Sequence, residues 1–192
     1  VSASVIRAME EAGIVKVVSK TAYRNPVGGL DPGGEQKKLN EEQQNVVSKI
    51  TMEYDAGERK TYLIKGVTGS GKTEVYMELI AHVLAQGKQA IVLIPEIALT
   101  YQTVRRFYNR FGAQVSINSK LSAGERYDQF ERAKNGEISV MIGPRSALFT
   151  PFPALGIIII DEEHEASYKS ETVPRYHARE TAIQRAKMTD AV

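Results

Sequence analysis

The run Gly66-Val67-Thr68-Gly69-Ser70-Gly71-Lys72-Thr73 constrains this chain more than any other segment. It fits the pattern of Gly, four residues, Gly, Lys and Ser or Thr that wraps nucleotide phosphates. It follows an apolar segment, Tyr62–Lys65, and opens a stretch in which Val75, Leu79 and Val83 recur at helical spacing. Glycines let backbone N–H groups turn inward toward phosphate oxygens, and the helix N-terminus adds the positive end of its dipole. Gly66, Thr68, Gly69, Ser70 and Gly71 are thus the candidate cradle, Lys72 the candidate ligand of the β- and γ-phosphates, and Thr73 the candidate Mg²⁺ ligand. The bland alternative is a Gly-rich turn between strand and helix. Chance assembly of this pattern is below about one per cent for such a chain at average residue usage.

A phosphate loop of this kind needs a parallel sheet behind it, and the rest of the sequence supplies the pattern. Helical periodicity is expected at roughly Asn40–Glu53, Gly71–Gln86, Leu99–Phe111, Ala123–Lys134 and Arg175–Met188. Strands are expected near Tyr62–Lys65, Gln89–Ile94, Val115–Asn118, Ile138–Ile142 and Ile157–Ile160. The alternation predicts an α/β lobe, a parallel sheet flanked by helices. Ile157 to Ile160 has no polar break, which only a strand covered on both faces tolerates, so it is expected at the sheet centre. Upstream, Val5, Ile6, Met9 and Ala12 form a short helical stripe ended by Gly13, and Ile14–Tyr23 alternates β-branched residues with Lys16 and Lys20. That order suits the remnant of a winged-helix module over residues 1–24; an ordered tail packed on its neighbour suits it equally. Asn25, Pro26 and the glycines up to Gly34 mark a linker over 25–38, leaving the lobe at 39–192.

A phosphate loop alone is shared by kinases, GTPases and transporters. The acidic run Asp161-Glu162-Glu163-His164 narrows the choice. It stands directly after the Ile run, at the C-terminal edge of the sheet, where parallel α/β folds bind ligands. Asp161 is placed to hold the Mg²⁺ shell. Glu162, just past the metal ligand, is placed to orient and deprotonate an attacking water.

Composition excludes several other classes. With 192 residues, of which 42% are hydrophobic, the chain can bury one good core and a small appendage. A net charge of +2 is far from that of a polybasic nucleic-acid binder. There is no cysteine, so neither a disulfide framework nor a thiolate metal site exists in these residues. The longest apolar run, Leu155 to Ile160, is too short for a bilayer and no signal-peptide pattern opens the chain. A soluble cytoplasmic protein with no membrane partner is expected, and a start at Val1 suggests a piece cut from something longer.

The D-E-x-H signature resembles that of superfamily 2 helicases. Leu39-Asn40-Glu41-Glu42-Gln43 is similar to their adenine-reading glutamine motif, with Gln43 as the reader. Gly66 to Tyr76, Pro95-Glu96-Ile97-Ala98-Leu99-Thr100, Arg145-Ser146-Ala147-Leu148-Phe149 and Asp161 to Glu165 look like the forms found in the replication-restart branch of those helicases. Tyr168-Lys169 with Arg175-Tyr176-His177-Ala178-Arg179 resembles that branch's aromatic-rich loop. The resemblance spans residues 39 to 180.

It implies a RecA-like first motor lobe that uses ATP and Mg²⁺ in a DNA-dependent ATPase and 3′–5′ helicase. Its DNA partner is forked or single-stranded, and primosome and single-strand-binding proteins are reached through the full-length parent. It also implies that Thr100, Arg145 and Ser146 contact phosphates, while Tyr168, Tyr176 and His177 stack on bases beside Arg175. The second lobe, which supplies an arginine to the γ-phosphate, and the branch's zinc-binding cysteines are implied to lie outside this stretch. Two departures stand out: Asn118-Ser119 replaces the usual His-Ser, and Pro144 before Arg145 lacks a backbone N–H. A phosphotransferase and a non-enzymatic DNA- or partner-binding module are the rival classes.

Overall fold

In the computed structural model, residues 2–17, 38–67 and 69–192 are described. Past an isolated helix α1 (Ala3–Glu11), the elements run α2 (Glu41–Asp55), α3 (Lys72–Ala85), β1 (Gln89–Leu93), α4 (Tyr101–Phe111), β2 (Val115–Ile117), α5 (Ala123–Lys134), β3 (Val140–Gly143), β4 (Leu155–Ile160) and α6 (Ala178–Thr189). Helix starts follow local chemistry. Asn40 and Gln43 close a capping box on α2, and Ser122 and Glu125 do the same on α5, each pair satisfying backbone donors that a helix start leaves unpaired.

The four strands pair in parallel in the order β2-β3-β1-β4. Successive side chains of a strand point to opposite faces, and the sheet here carries a core on each. Ala90, Val92, Val140, Ile142 and Ile157 meet residues of α2, α3 and α4, among them Ile50, Ile80 and Phe107. Ile91, Leu93, Met141 and Leu155 meet Ala133 of α5 and Ala178 and Ala182 of α6 on the other side. Helices therefore cover both faces, as the sequence pattern requires.

Three expectations are corrected. The Ile157–Ile160 run is covered on both faces, but β4 is the edge of the four strands and β1 and β3 hold the centre. Double coverage produces an unbroken apolar run without requiring a neighbour on each side.

Tyr62–Lys65 is extended but joins no strand. Tyr62 and Ile64 turn to the core and Leu63 is 78% exposed, the alternation of a one-faced strand. On the outer edge of β4, two backbone groups are engaged by Val192, whose N–H donates to Gly156 O (3.0 Å) and whose carbonyl accepts from Ile158 N–H (2.7 Å).

The last helix begins at Ala178 rather than Arg175. Ser170 N–H donates to Tyr176 O (2.8 Å), and an antiparallel bridge joins Lys169 to His177, so residues 175–177 are held extended.

Near the N-terminus, Gly13 ends α1 with φ +70° as expected, yet no residue of α1 is buried, and residues 14–17 form no strand. The remainder of the expected strand to Tyr23 and nearly all of the linker lie outside the described residues, as does Thr68 of the phosphate loop.

Candidate active site

Helix α3 starts at Lys72, with Gly71 as its N-cap in the left-handed region at φ +81°. A side chain there would be strained, and its Cβ would land on the amide nitrogen of Gln43. Gln43 is bound at both ends of its amide: Nε2 donates to Ser70 O (2.8 Å), and Oε1 accepts from Asn40 N–H (2.9 Å). As placed, it ties the start of α2 to the phosphate loop. Lys72 Nζ folds back on that loop, donating to Gly66 O (2.8 Å) and Val67 O (3.2 Å). An ammonium anchored by neutral carbonyls can transfer to phosphate oxygens, which are charged and stronger acceptors.

Across from α3, the end of β4 presents Asp161. Its N–H continues the sheet by donating to Leu93 O (2.9 Å), and its Oδ1 accepts from Glu162 N–H (3.1 Å). Glu162 follows with φ +47°, a left-handed conformation that costs a non-glycine residue on the order of 1 kcal/mol and turns the chain sharply out of the sheet. The Glu162 carboxylate lies 3.7 Å from His164 Nδ1.

Tyr76, to which the sequence reading assigned no role, stands between the two halves of the site. Its hydroxyl is 3.2 Å from Thr73 Oγ1 and 3.3 Å from Asp161 Oδ2. The signal was present in the spacing, since residues three apart on a helix share a face. Burial, followed by the Glu162 charge, pushes the Asp161 carboxyl above the ordinary carboxylate range, against hydrogen bonds from Tyr76 and the Glu162 amide and the charge of Lys72. Burial, with the Asp161 charge next, pushes the Tyr76 phenol up.

The loop beyond the acids corrects one expectation. Tyr168 is 1% exposed and packs in the core under β1, so its ring stacks on no base. Its hydroxyl lies 2.7 Å from Asp161 O and 3.0 Å from Leu93 O. Arg145, expected on phosphates, donates from Nη1 to the carbonyls of Ser167 (2.8 Å) and Lys169 (3.0 Å), either side of Tyr168. Ser146 is half-buried in the same turn. That turn is held from α6 by Arg185, which donates to Leu148 O and Thr150 O and was not anticipated.

Arg175 is exposed and Tyr176 and His177 half-buried; with Lys169, Glu171 and Glu180 they line an open depression. Tyr176 meets the half-exposed Phe149 edge-on at 5.2 Å, and His177 Nδ1 caps α6 by accepting from Arg179 N–H (3.3 Å). Thr100 is exposed and caps α4 through Oγ1, which accepts from Thr103 N–H at 3.2 Å. Asn118 is buried and its amide nitrogen finds no partner among the described residues.

Among the described residues no three His, Asp or Glu side chains converge as a metal cage. Thr73 and Asp161 offer two hard oxygens facing one hydroxyl, which suits Mg²⁺, a cation that keeps most of its shell as water and phosphate.

A doubly covered parallel sheet with a phosphate loop at its C-terminal edge, acids at the end of a neighbouring strand and helices on both faces defines an α/β P-loop lobe of RecA-like type. Residues 36–189 match the family model described as "Type III restriction enzyme, res subunit", and the chain belongs to that family. Among individual proteins it is similar to the replication restart protein PriA. It is 47% identical to that of Bacillus subtilis over 188 residues, 97% of this chain and 23% of that protein. It is 42% identical to that of Chlamydia pneumoniae over 195 residues, 100% of this chain and 26% of that protein. It is 51% identical to that of Haemophilus influenzae over 123 residues, 64% of this chain and 17% of that protein. The chain therefore spans at most about a quarter of the length of these relatives. A nuclease-deletion mutant of the Type ISP restriction-modification enzyme LlaGI, solved with a DNA substrate mimic, aligns over 68% of this chain and 16% of its own at 17% identity and a TM-score of 0.46. No described helix is long and apolar enough to cross a membrane.

Proposed function

We propose that this chain is the ATP-binding first motor lobe of a cytoplasmic DNA helicase of replication restart, in which ATP hydrolysis is coupled to DNA. The observation that carries this reading is the Tyr76 hydroxyl between Thr73 and Asp161 at one end of the sheet, with the charges of Lys72 and Glu162 acting on the Asp161 carboxyl. Relatives named as replication restart proteins support the biological setting. Residues 1–24 are read as the end of a winged-helix module and 25–38 as a linker to the lobe at 39–192.

In this reading, Gly66, Thr68, Gly69, Ser70 and Gly71 surround the phosphates, Lys72 exchanges its loop carbonyls for β- and γ-phosphate oxygens, and Thr73 and Asp161 hold Mg²⁺. The cation supplies charge for the γ-phosphate as it leaves. Glu162 receives the proton of the attacking water. Gln43 reads adenine with the amide proton and the Oε1 lone pair that its bonds to Ser70 O and Asn40 N–H leave over, so it keeps its tie to the phosphate loop. DNA, forked or single-stranded, passes over Thr100, Arg145 and Ser146 toward the depression at Arg175, Tyr176 and His177. Primosome and single-strand-binding partners, 3′–5′ movement and the second lobe's arginine belong to the full-length protein.

The test is DNA-stimulated ATPase activity of the full-length protein and of its Lys72→Ala and Glu162→Gln variants. Lys72→Ala is expected to remove stimulated hydrolysis with the fold intact. Glu162→Gln is expected to keep nucleotide binding and lose about a hundredfold in turnover, the scale of a lost general base. Label transfer from ATP to an acceptor other than water would identify a phosphotransferase. DNA binding indifferent to nucleotide and to Lys72→Ala would identify a non-enzymatic module.

A further inference from the structure

We infer that Tyr76 is a positioning residue for the divalent cation, acting through Thr73 and Asp161; this rests on the nucleotide reading above. Its hydroxyl lies within hydrogen-bond reach of both candidate metal ligands, 3.2 Å from Thr73 Oγ1 and 3.3 Å from Asp161 Oδ2. The placement is fixed. Tyr76 is 5% exposed, stands on α3 one turn after Thr73, and lies nearly parallel to Phe107 of α4, with ring centres 6.1 Å apart and planes 17° apart.

Proton counting gives the hydroxyl its role. A phenol has one proton, and an ionised carboxylate only accepts. When the Tyr76 proton goes to Asp161 Oδ2, the contact with Thr73 is made by the threonine's own proton, directed at the Tyr76 oxygen. The lone pairs of Thr73 Oγ1 are then turned away from its proton and left for the cation. The same chain holds Asp161 Oδ2 on the α3 side, while Oδ1 is held by Glu162 N–H. Tyr76 thus sets the proton order and spacing of the two ligands without touching the metal itself. Groups that orient metal ligands in this way are worth about ten- to a hundredfold in metal affinity.

The experiment uses the full-length protein and Tyr76→Phe, which keeps the ring against Phe107 and removes only the oxygen. Binding of a fluorescent ADP analogue is titrated with Mg²⁺, and bound Mn²⁺ is followed by electron paramagnetic resonance. The metal midpoint is expected to rise by about tenfold or more, with nucleotide affinity in EDTA unchanged and the melting temperature lowered only by the loss of one buried hydrogen bond. A merely structural tyrosine would lower the last two and leave the midpoint in place. An unchanged midpoint in a folded Tyr76→Phe protein overturns the inference. If the wild type shows no metal-dependent nucleotide binding, the nucleotide reading itself fails and takes the inference with it. Tyr76→Leu provides the second variant: its midpoint should rise as in Tyr76→Phe, while its melting temperature alone falls further.

Discussion

The hydroxyl of Tyr168 lies 2.7 Å from the main-chain carbonyl oxygen of Asp161, joining the loop beyond the acidic run to the backbone of the candidate Mg²⁺ ligand. The same hydroxyl is 3.0 Å from Leu93 O at the end of β1, so its one proton is shared between two strand ends. On either side, Ser167 O and Lys169 O are held by Arg145. A displacement of Arg145 thus has a short covalent and hydrogen-bonded route to Asp161.

Tyr168→Phe removes that fastening from a buried place without changing the ring. Asp161 O loses its partner, whereas Leu93 O keeps the N–H of Asp161. The expected cost is about 1–2 kcal/mol for the unsatisfied carbonyl, read as a lower urea midpoint at unchanged slope. Tyr168→Ala should cost about 3–5 kcal/mol through the cavity it leaves. A Tyr168→Phe protein as stable as the wild type would show that the hydroxyl bonds contribute nothing net.

Asp161→Asn makes a prediction of opposite sign. Burial and the neighbouring Glu162 charge hold the carboxyl of Asp161 above its ordinary range in the folded chain. A raised acid stabilises the fold while protonated, and that contribution is lost as pH rises through the folded-state value. At neutral pH the ionised group therefore opposes folding of the nucleotide-free protein, and asparagine relieves it while keeping an oxygen for Tyr76. The melting temperature of Asp161→Asn should exceed that of the wild type at pH 7 to 8, and the gain should shrink as pH falls and vanish below about pH 3, where the wild-type carboxyl is largely protonated in both states. Metal-dependent nucleotide binding should be lost at every pH. A constant difference in melting temperature from acid to neutral pH would rule out titration as its source.

What the sequence revealed and what it concealed divide along physical lines. The phosphate loop and the acidic run were readable because their chemistry is local: Gly71 needs its left-handed backbone, and Asp161 sits at the end of an apolar strand. Double coverage of β4 was readable from Ile157 to Ile160, but its place at the edge was not, because strand order depends on partners far along the chain. Tyr168 misled for a related reason. An aromatic residue beside basic ones reads as a stacking surface, and only the return of the loop onto β1 shows that the ring is inside. Tyr76 was visible as a helix neighbour of Thr73, but its value depends on Asp161, 85 residues further on.

Arg145 is predicted to serve both the loop and DNA. One of its terminal nitrogens holds two carbonyls, and the hydrogen bonds found for it use only that nitrogen. In the full-length protein, Arg145→Ala should leave metal-dependent ADP binding in place and weaken DNA binding. If one phosphate contact is lost, the slope of log affinity against log salt should become shallower by about 0.7 to 0.9. Weakened binding at an unchanged slope would assign Arg145 to loop anchoring alone.

The final prediction concerns the depression beside α6. Tyr176 meets Phe149 edge-on, and Phe149 closes the turn that begins at Arg145, so a base stacked against Tyr176 would press on the segment whose arginine holds the Tyr168 loop. His177 caps α6 as well, and truncating it to alanine would confuse a DNA effect with fraying of the helix. The informative variant is therefore Tyr176→Ala combined with His177→Asn, since asparagine is a strong helix cap and lacks the ring. In the full-length protein this variant should keep its melting temperature, its ADP affinity and its hydrolysis rate without DNA. Stacking is worth about 1–3 kcal/mol per base, which sets an upper scale for the loss of DNA affinity. At saturating DNA, where weaker binding no longer matters, stimulation of hydrolysis should still be reduced, because the path from Tyr176 through Phe149 and Arg145 to Tyr168 and Asp161 has lost its first member. Full stimulation at saturating DNA would show that these rings serve grip alone and that the signal enters at Arg145.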